Sequence, residues 1–379
     1  MLQSDINAGF GKHNQWFYFS IEGMMSNVSY KFNIINMSKA NSQFNSGMQP
    51  VIYSKIDDCW RRIGDNVLYL RNHYRKCPGE KNPNAWISYS SAIFVIQVKN
   101  DNDVYSLAYH YPYTYTDYQK FMSRVSLLPN FDLKCRRQLL CKTLSHNNCD
   151  LLTITAFDPE SLGASPLDER KYIFLSSRVH PGETNSSFII EGVIAFLLSD
   201  EATAIKLRST CIFKIIPMLN PDGVINGSHR CSLAGVDLNR QWQAPMLKHH
   251  PTIYWAKKVL SHLVAKGKRP LLSCDFHGHS KRKNMFLFGC ETLAPNDGLE
   301  KIFPQLMSDR SSLFDLSQCK YAIEKSKEAT ARVVIWRELG VVASYTLEST
   351  YCGIDIGPLK VCRTCIQLGS ERCTGASGH

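Results

Sequence analysis

Short apolar runs separated by polar turns dominate the first hundred residues. Runs rich in aromatic and β-branched side chains occur at 16–20, 30–34 and 92–96. Such runs, bounded by Gly, Asn, Ser and Pro, are typical of antiparallel strands. Helical periodicity is hardly visible in this region. The pattern therefore predicts a compact β domain at the start of the chain.

The pattern changes in the second part of the chain. Residues 117–142 are predicted to be helical, and from Leu151 strands and helices alternate, which is typical of an α/β fold. We predict a mixed central sheet flanked by helices, preceded by a small antiparallel β-sandwich. The predicted domains are 1–143 and 144–356, with a Cys-, Gly- and Ser-rich tail at 357–379. The predicted strands of the second domain are 151–155, 172–176, 212–216, 271–276 and 285–288, and its predicted helices include 186–199 and the segment around Leu260.

The composition is that of a folded protein. The chain has 379 residues, of which 44% are hydrophobic and 20% charged, enough for a sizeable core. No apolar stretch approaches a membrane span and the first residues do not resemble a signal peptide, so we expect a cytosolic protein that does not act in a membrane. In that compartment most of its 14 cysteines should be reduced thiols.

The net charge of +11 is divided about evenly between the first 150 residues and the remainder. A diffuse positive surplus favours an acidic partner through the field of the whole molecule. The sequence lacks zinc-finger spacing, a phosphate-binding glycine loop and an RNA-binding aromatic signature, so nucleic acid is not the expected partner. An acidic protein is the better candidate.

A histidine and a glutamate follow the apolar run at 172–175 in a turn. His180 and Glu183 are three positions apart, and the ends of a tight turn come within about 7 Å, so both side chains can reach one metal ion. Catalytic zinc sites often use two histidines and one carboxylate. His277, at the end of a later strand, is the best third ligand, and His279 is an alternative because it lies on the same face of that strand.

A second carboxylate is placed for chemistry by strand alternation. In the run 343–349, Glu348 lies on the face opposite Tyr345 and Leu347. Burying an unpaired carboxylate is unfavourable by several kcal/mol, which makes Glu348 a functional candidate; the alternative is an edge strand that leaves Glu348 in water. Polar groups including Arg230 and the segment 235–240 also follow strand ends, where ligand sites of open α/β sheets lie.

These motifs together resemble the cytosolic carboxypeptidases, a branch of the zinc metallocarboxypeptidases related to carboxypeptidase A. The similarity rests on His-Pro-Gly-Glu at 180–183, Asn-Pro-Asp-Gly at 220–223, Asp-Leu-Asn-Arg at 237–240, His-Gly-His at 277–279 and Tyr-Thr-Leu-Glu at 345–348. The resemblance implies a zinc carboxypeptidase fold with one Zn²⁺ per chain. It assigns the zinc ligands to His180, Glu183 and His277, the orientation of His180 to Asp237, and the general base to Glu348.

The resemblance also implies a substrate class. Arg230 would stabilise the oxyanion, and Asn239 and Arg240 would bind the free terminal carboxylate of a peptide. The expected activity is removal of C-terminal or side-chain glutamates from acidic tails such as those of polyglutamylated tubulin, by a cytoplasmic monomer associated with microtubules or cilia. Two alternatives remain open at this stage: a catalytically impaired module that binds acidic tails, and a zinc deacylase of small N-acyl amino acids.

Arg332 is the candidate for specificity. In the family that the chain resembles, the residue at the bottom of the pocket for the last side chain precedes the catalytic glutamate by about this distance. Arg332 also adjoins a strand-like run at 333–336. A guanidinium in a partly dry pocket would select a terminal glutamate. A surface position of Arg332 is the alternative.

Overall fold

The computed structural model describes residues 1–8, 13–76, 86–158, 164–292 and 298–356. The predicted fold class is confirmed, since two antiparallel sheets precede a mixed seven-stranded sheet flanked by helices. The predicted tail at 357–379 lies outside the described residues. Within the ranges described, no helix is long and apolar enough to cross a membrane.

The β domain packs two sheets against each other, in the strand orders β1-β7-β3-β4 and β2-β6-β5. Alternate side chains such as Phe17, Ile52, Phe94 and Leu107 point inward and form one buried core, as period-2 patterning requires. The strands are β1 (Tyr18–Ile21), β2 (Tyr30–Met37), β3 (Val51–Ser54), β4 (Cys59–Arg62), β5 (Asp65–Lys76), β6 (Ile87–Ile96) and β7 (Tyr105–Ala108).

The α/β domain is built on a sheet of order β13-β14-β12-β10-β11-β9-β8. Its four central strands, β14, β12, β10 and β11, are parallel, and antiparallel strands flank them on both sides. The elements in chain order are α1 (Tyr115–Ser126), α2 (Phe131–Lys134), β8 (Cys135–Lys142), β9 (Asn148–Ile154), β10 (Lys171–Ser177), α3 (Thr184–Leu198), α4 (Ala202–Thr210), β11 (Cys211–Ile216), α5 (Pro221–Ile225), α6 (Pro251–Ala265), β12 (Leu272–His279), β13 (Met285–Phe288), α7 (Leu299–Arg310), α8 (Ala331–Leu339) and β14 (Ala343–Thr350).

Each face of this sheet has its own apolar core. Leu175 and Phe276 pack with α1 and α3 on one face, whereas Phe174 and Ile216 pack with α6 and α8 on the other. Because side chains alternate across a strand, Asp275 and His277 of β12 lie on the second face. That face carries the candidate site.

Three sequence predictions about elements are corrected. The predicted helix at 117–142 is helical only in its first part, because Cys135–Lys142 forms β8, paired with β9. A domain boundary at 143 would separate these paired strands, so the α/β domain begins after β7, with α1. The strand-like run at 333–336 is part of α8, which Gly340 ends in the left-handed conformation at φ 67°.

The two domains meet at the carboxyl ends of β12 and β14. The Gln43 side chain donates to the carbonyls of His279 and Arg282 at 2.7 and 2.8 Å, and its Oε1 accepts from the Thr350 hydroxyl at 3.2 Å. Arg62 donates to the carbonyl of Tyr351 at 2.7 Å. The β domain therefore buttresses the strand ends that carry His277 and Glu348.

Candidate active site

The first two predicted ligands lie in the loop after β10. The Arg178 backbone adopts a positive φ of 56°, and its buried guanidinium donates to the carbonyl of Pro181 at 2.8 Å. A hydrogen bond from the Gly182 N–H to the carbonyl of His229 at 2.8 Å ties the turn to a neighbouring loop. These bonds fix the turn, so that His180 and Glu183 both face the space beyond the strand ends.

His277 completes the cluster from β12. The ligand atoms of His180, Glu183 and His277 all lie within 4.8 Å of one another. Each imidazole directs its Nδ1 at one oxygen of Glu183, at 2.9 Å from His180 and 2.9 Å from His277. The three residues that the sequence nominated are thus brought together, with both rings presenting the same nitrogen.

Two carboxylates, the half-buried Asp237 and the buried Asp275, contact the ligand histidines on the side away from Glu183. The Nε2 of His180 lies 3.0 Å from Asp237, as predicted, and the Nε2 of His277 lies 2.7 Å from Asp275. Asp275 also accepts from the Ser176 hydroxyl at 2.7 Å. Carboxylates behind ligand histidines fix the ring orientation in zinc sites. Asp275 was not predicted, although Asp-x-His on one strand puts both side chains on one face.

The electrostatics of the cluster fit a cation. Burial acts to raise the pKa of Glu183, but the two imidazoles outweigh it and hold that pKa well below its usual range. Burial acts to lower the pKa of His277, but Asp275 and Glu183 outweigh it and raise that pKa well above its usual range. Among the described residues, no lysine or arginine forms an ion pair with Glu183. Two imidazoles and a carboxylate are the donor set of catalytic zinc, so the residues fit that metal.

His279 does not join the cluster. Its Nδ1 accepts from the backbone N–H of Arg282 at 2.9 Å, and its ring packs edge-on against Phe286. Burial lowers its pKa to about 4. His279 therefore stabilises the loop that follows β12, and the geometry favours His277 over His279 as the third ligand.

The close approach of β12 to its neighbours requires glycine at 278. A Cβ there would lie 2.3 Å from the Asn185 side-chain oxygen and 2.6 Å from the Tyr351 ring. Asn185 in turn donates to the Ser349 carbonyl at 2.9 Å. Gly278 thus lets the strand ends that carry His277 and Glu348 pack tightly.

Glu348 lies beside His277, directly opposite it in the parallel register of β12 and β14. Paired residues share a face of the sheet, so its carboxylate is on the side of the cluster. Burial raises the pKa of Glu348 to about 7. Its carboxylate makes no hydrogen bond or ion pair within the described residues, and β14 lies inside the sheet between β12 and β13, not at its edge.

Arg230 is tied to the cluster through Asp237. Its Nη2 lies 2.6 Å from Asp237 Oδ2 and its Nε donates to the same oxygen at 2.8 Å. Nη1 of Arg230 has no acceptor in the part of the chain that is described. Arg230 is therefore beside His180, with one donor left for a ligand.

Asn239 and Arg240 lie on the same segment as Asp237. The buried Asn239 side chain accepts from the Ala331 N–H at 2.9 Å, and its amide nitrogen lies 3.3 Å from His277. Arg240 is half-buried and donates through Nη1 to the carbonyl of Asn239 at 2.7 Å. Its other donors have no hydrogen-bond partner within the described ranges, so they remain available to a carboxylate.

Arg332 is buried in α8 and not on the surface. Its Nη1 donates to the carbonyl of Gly289 and lies 3.4 Å from the Cys290 sulfur. Its Nε and Nη2 have no hydrogen-bond acceptor among the residues described. The surface alternative is thus wrong, and both the pocket and the role of Arg332 in specificity stay predictions.

Asp5 was not predicted from the sequence either. This buried carboxylate accepts from three successive backbone N–H groups, those of His229 at 2.6 Å, Arg230 at 2.7 Å and Cys231 at 2.8 Å. The segment before β1 therefore holds the loop that carries Arg230. No local pattern could reveal a contact between residues more than 220 positions apart.

Comparisons with known proteins agree with this geometry. A model of the zinc carboxypeptidase family matches residues 131–280. Cytosolic carboxypeptidase 1 of Homo sapiens is 45% identical over an alignment that covers 99% of this chain and 32% of that protein. For cytosolic carboxypeptidase 4 of Homo sapiens the identity is 43%, with 100% of this chain and 36% of that protein covered. The chain thus spans about a third of the length of these curated relatives.

Solved structures share the architecture. The metallo-carboxypeptidase from Pseudomonas aeruginosa in complex with (2-guanidinoethylmercapto)succinic acid is 22% identical with a TM-score of 0.73, covering 94% of this chain and 85% of that chain. The metallo-carboxypeptidase from Burkholderia cenocepacia is 22% identical with a TM-score of 0.69, covering 92% and 82%. At such identities the likeness shows the fold alone.

Proposed function

We propose that this chain, which belongs to the zinc carboxypeptidase family and resembles its cytosolic carboxypeptidases over nearly its full length, removes glutamates from acidic protein tails such as that of polyglutamylated tubulin. The observation that carries the hydrolytic part is the cluster of His180, Glu183 and His277 beside Glu348, whose carboxylate has no partner among the residues described. A cytoplasmic monomer that meets its substrate on microtubules or in cilia is part of the same proposal.

Zinc in a site of this kind supplies Lewis acidity, which lowers the pKa of water and polarises a carbonyl group. The residues of the chain supply the proton transfers. Glu348 accepts the proton of the attacking water and returns it to the leaving amine, a role for which a carboxylate with a pKa near 7 is suited. The free Nη1 of Arg230 donates to the oxygen on which negative charge develops.

Asn239 and Arg240 recognise the C-terminal end of the peptide substrate. An exopeptidase must bind a free terminal carboxylate, and a guanidinium beside an amide does so through several charge-assisted hydrogen bonds. The free donors of the half-buried Arg240 meet this requirement. The placement of Asn239 against His277 holds the bound terminus beside the ligand cluster.

The preference for glutamate rests on Arg332. Its free guanidinium nitrogens can pair with a terminal glutamate side chain in a buried pocket, whereas an apolar terminal residue would leave the charge unpaired. We expect a preference for glutamate over leucine on the order of 10²-fold.

The test is turnover of matched peptides that differ only in the last residue, with and without a chelator. The wild type should release terminal glutamate far faster than leucine or lysine, and the chelator should stop it. Arg332→Ala should erode this preference while zinc stays bound. The matched control is Arg337→Ala, which removes an exposed arginine from the same helix and should keep the wild-type preference.

Equal rates on glutamate and leucine, or unchanged selectivity of Arg332→Ala, would refute the specificity. Binding of the acidic peptide without any release of glutamate would favour the impaired binding module. Activity confined to small N-acyl amino acids would favour the deacylase. The complete set of ligands and Glu348 supports hydrolysis over the impaired binding module. The β domain and the carboxylate-binding pair Asn239 and Arg240 support a protein substrate over a small N-acyl amino acid.

A further inference from the structure

The side chain of Lys39 extends from the β domain toward the candidate active site. Lys39 follows β2, and its backbone is fixed on both sides: its N–H donates to the Gln15 side chain at 3.2 Å, and its carbonyl accepts from the Tyr69 hydroxyl. The N–H of the preceding residue, Ser38, donates to the Asn14 carbonyl at 2.8 Å. The position from which the Lys39 side chain starts is therefore rigid.

The ammonium of Lys39 lacks an anionic partner within the part of the chain that the structure describes. It donates to the Ser280 hydroxyl at 3.0 Å, and it forms no ion pair with any carboxylate of the described residues. The side chain is half-buried, and burial lowers its pKa to about 8, so it is still mostly protonated at neutral pH. An unpaired and partly desolvated cation is unfavourable unless it serves a ligand.

The contact with Ser280 places the ammonium of Lys39 next to the end of the strand that carries His277. Besides burial, the charges of Glu183 and Glu348 act to raise its pKa, and those of Arg230 and Lys281 act to lower it. Its hydrogen-bond partner, Ser280, lies three residues after the ligand His277. The ammonium thus belongs to the surroundings of the ligand cluster, although it comes from the other domain.

Lys39 approaches the site from a different element than the residues proposed to bind the terminal carboxylate. Asn239 and Arg240 follow β11 and contact α8 through Ala331, whereas Lys39 contacts the loop after β12. With the terminal residue on the side of Arg240 and Arg332, Lys39 lies on the side left for the residue before the scissile bond. The ligand that fits an ammonium there is another carboxylate.

We propose that Lys39 is a substrate-binding residue of the β domain that pairs with the acidic side chain of the penultimate residue. This rests on the proposed carboxypeptidase function and extends it from the last residue to the one before. The β domain then contributes directly to specificity for consecutive acidic residues.

The test compares a short peptide ending in two glutamates with its analogue that has glutamine in the penultimate position. A charge-assisted hydrogen bond should give the wild type a preference in kcat/KM of roughly 10-fold for glutamate over glutamine. In Lys39→Gln this ratio should fall toward 1, through KM more than through kcat. The matched control is Lys31→Gln, which removes the same charge from an exposed position on β2 and should keep the wild-type ratio.

Equilibrium binding of both peptides to Glu348→Gln, with and without Lys39→Gln, provides a second measurement that needs no turnover. A binding preference for the acidic penultimate residue that disappears with Lys39 supports the pairing. A wild-type enzyme that releases glutamate from both peptides at equal kcat/KM, or a Lys39→Gln variant with an unchanged ratio, overturns it. Failure of the wild type to hydrolyse either peptide would count against the proposed function, and the binding ratio would still decide the role of Lys39.

Discussion

Glu183 and Glu348 show how the surroundings divide two carboxylates between two roles. Glu183 is buried between two imidazoles, which outweigh the effect of burial and keep its pKa low, so it stays ionised as a ligand must. Glu348 is half-buried and has no hydrogen-bonding partner among the described residues, and its partial burial raises its pKa to about 7. A group that ionises near neutral pH can accept a proton and give it back.

The role of Glu348 predicts what happens when its carboxyl group is replaced by an amide, which cannot ionise. Glu348→Gln keeps the size of the side chain and should leave zinc content and peptide binding nearly unchanged. Turnover should fall by ~10²-fold or more, as is usual when a general base is lost. The measurement is kcat on a glutamate-terminated peptide together with metal analysis. Glu22→Gln, at an exposed position of the β domain, is the control, and unchanged kcat in Glu348→Gln would assign the chemistry to another group.

The two histidines of the His-Gly-His motif should differ in their effect on metal content. His277 directs its Nδ1 into the cluster, whereas His279 holds the loop backbone. We therefore expect His277→Ala to lose bound zinc and His279→Ala to retain about one zinc per chain, measured by metal analysis after dialysis. The His279 variant thus serves as the control, and full retention of zinc by His277→Ala would contradict the ligand assignment.

At the scale of elements, the central strands were predictable because their apolar runs are short and end in turn residues. The error at 135–142 has a physical cause. Most residues of this segment are Arg, Gln, Leu and Lys, which have good helix propensity. Pairing with β9, in which Cys141 lies opposite Cys149, nevertheless holds the segment in a strand. In α8 the opposite occurs: the β-branched Val333 and Val334 favour a strand, yet both are buried in a helix that packs on β12 and β14.

The residues of the candidate site also differ in whether the sequence alone could predict them. His180 and Glu183 could be read from one local turn, and Glu348 from strand alternation. Asp5 and Lys39 could not, because each acts on residues hundreds of positions away that only the tertiary fold brings near. Local patterns therefore predict ligands and bases, and the groups that position or extend the site come from long-range contacts.

The segment before β1 has a testable structural role. Asp5→Ala leaves three N–H groups without their acceptor, and a buried unsatisfied donor typically costs about 1–3 kcal/mol. Hydrogen exchange at the amides of His229, Arg230 and Cys231 should therefore accelerate in this variant, and kcat should fall because the Arg230 loop is released. Exchange detected by mass spectrometry and peptide turnover are the two measurements.

Asp103 offers the matched control for Asp5. It is also buried and accepts from backbone N–H groups at 2.7 and 3.1 Å, but within the β domain. Asp103→Ala should reduce stability without changing exchange at 229–231. Unchanged hydrogen exchange at 229–231 in Asp5→Ala would show that this loop keeps its structure without Asp5.

At the scale of the whole molecule, the two domains form one site. Gln43 and Arg62 of the β domain bind the backbone at the ends of β12 and β14, and His110, which follows β7, stacks on Tyr351 at 4.3 Å. Because these contacts lie so close to His277 and Glu348, the β domain helps to fix the positions of both side chains. The chain therefore cannot be divided into a catalytic part and an independent appendage.

The net charge of +11 predicts how the whole molecule meets its substrate. A positive field accelerates encounter with an acidic tail, and salt screens that field over a Debye length of about 10 Å at 0.1 M. The kcat/KM for a tail of several glutamates should therefore fall on the order of 10-fold as ionic strength rises from about 0.02 to about 0.2 M. A peptide of equal length whose only acidic residue is the terminal glutamate should lose less, because fewer charges interact with the field.

The kcat should change little with salt for either peptide. It describes a complex that has already formed, and salt only weakly screens the partly buried contacts of that complex. Equal salt dependence of kcat/KM for the two peptides would show that the charge surplus does not guide association and that selection of acidic tails takes place within the site alone.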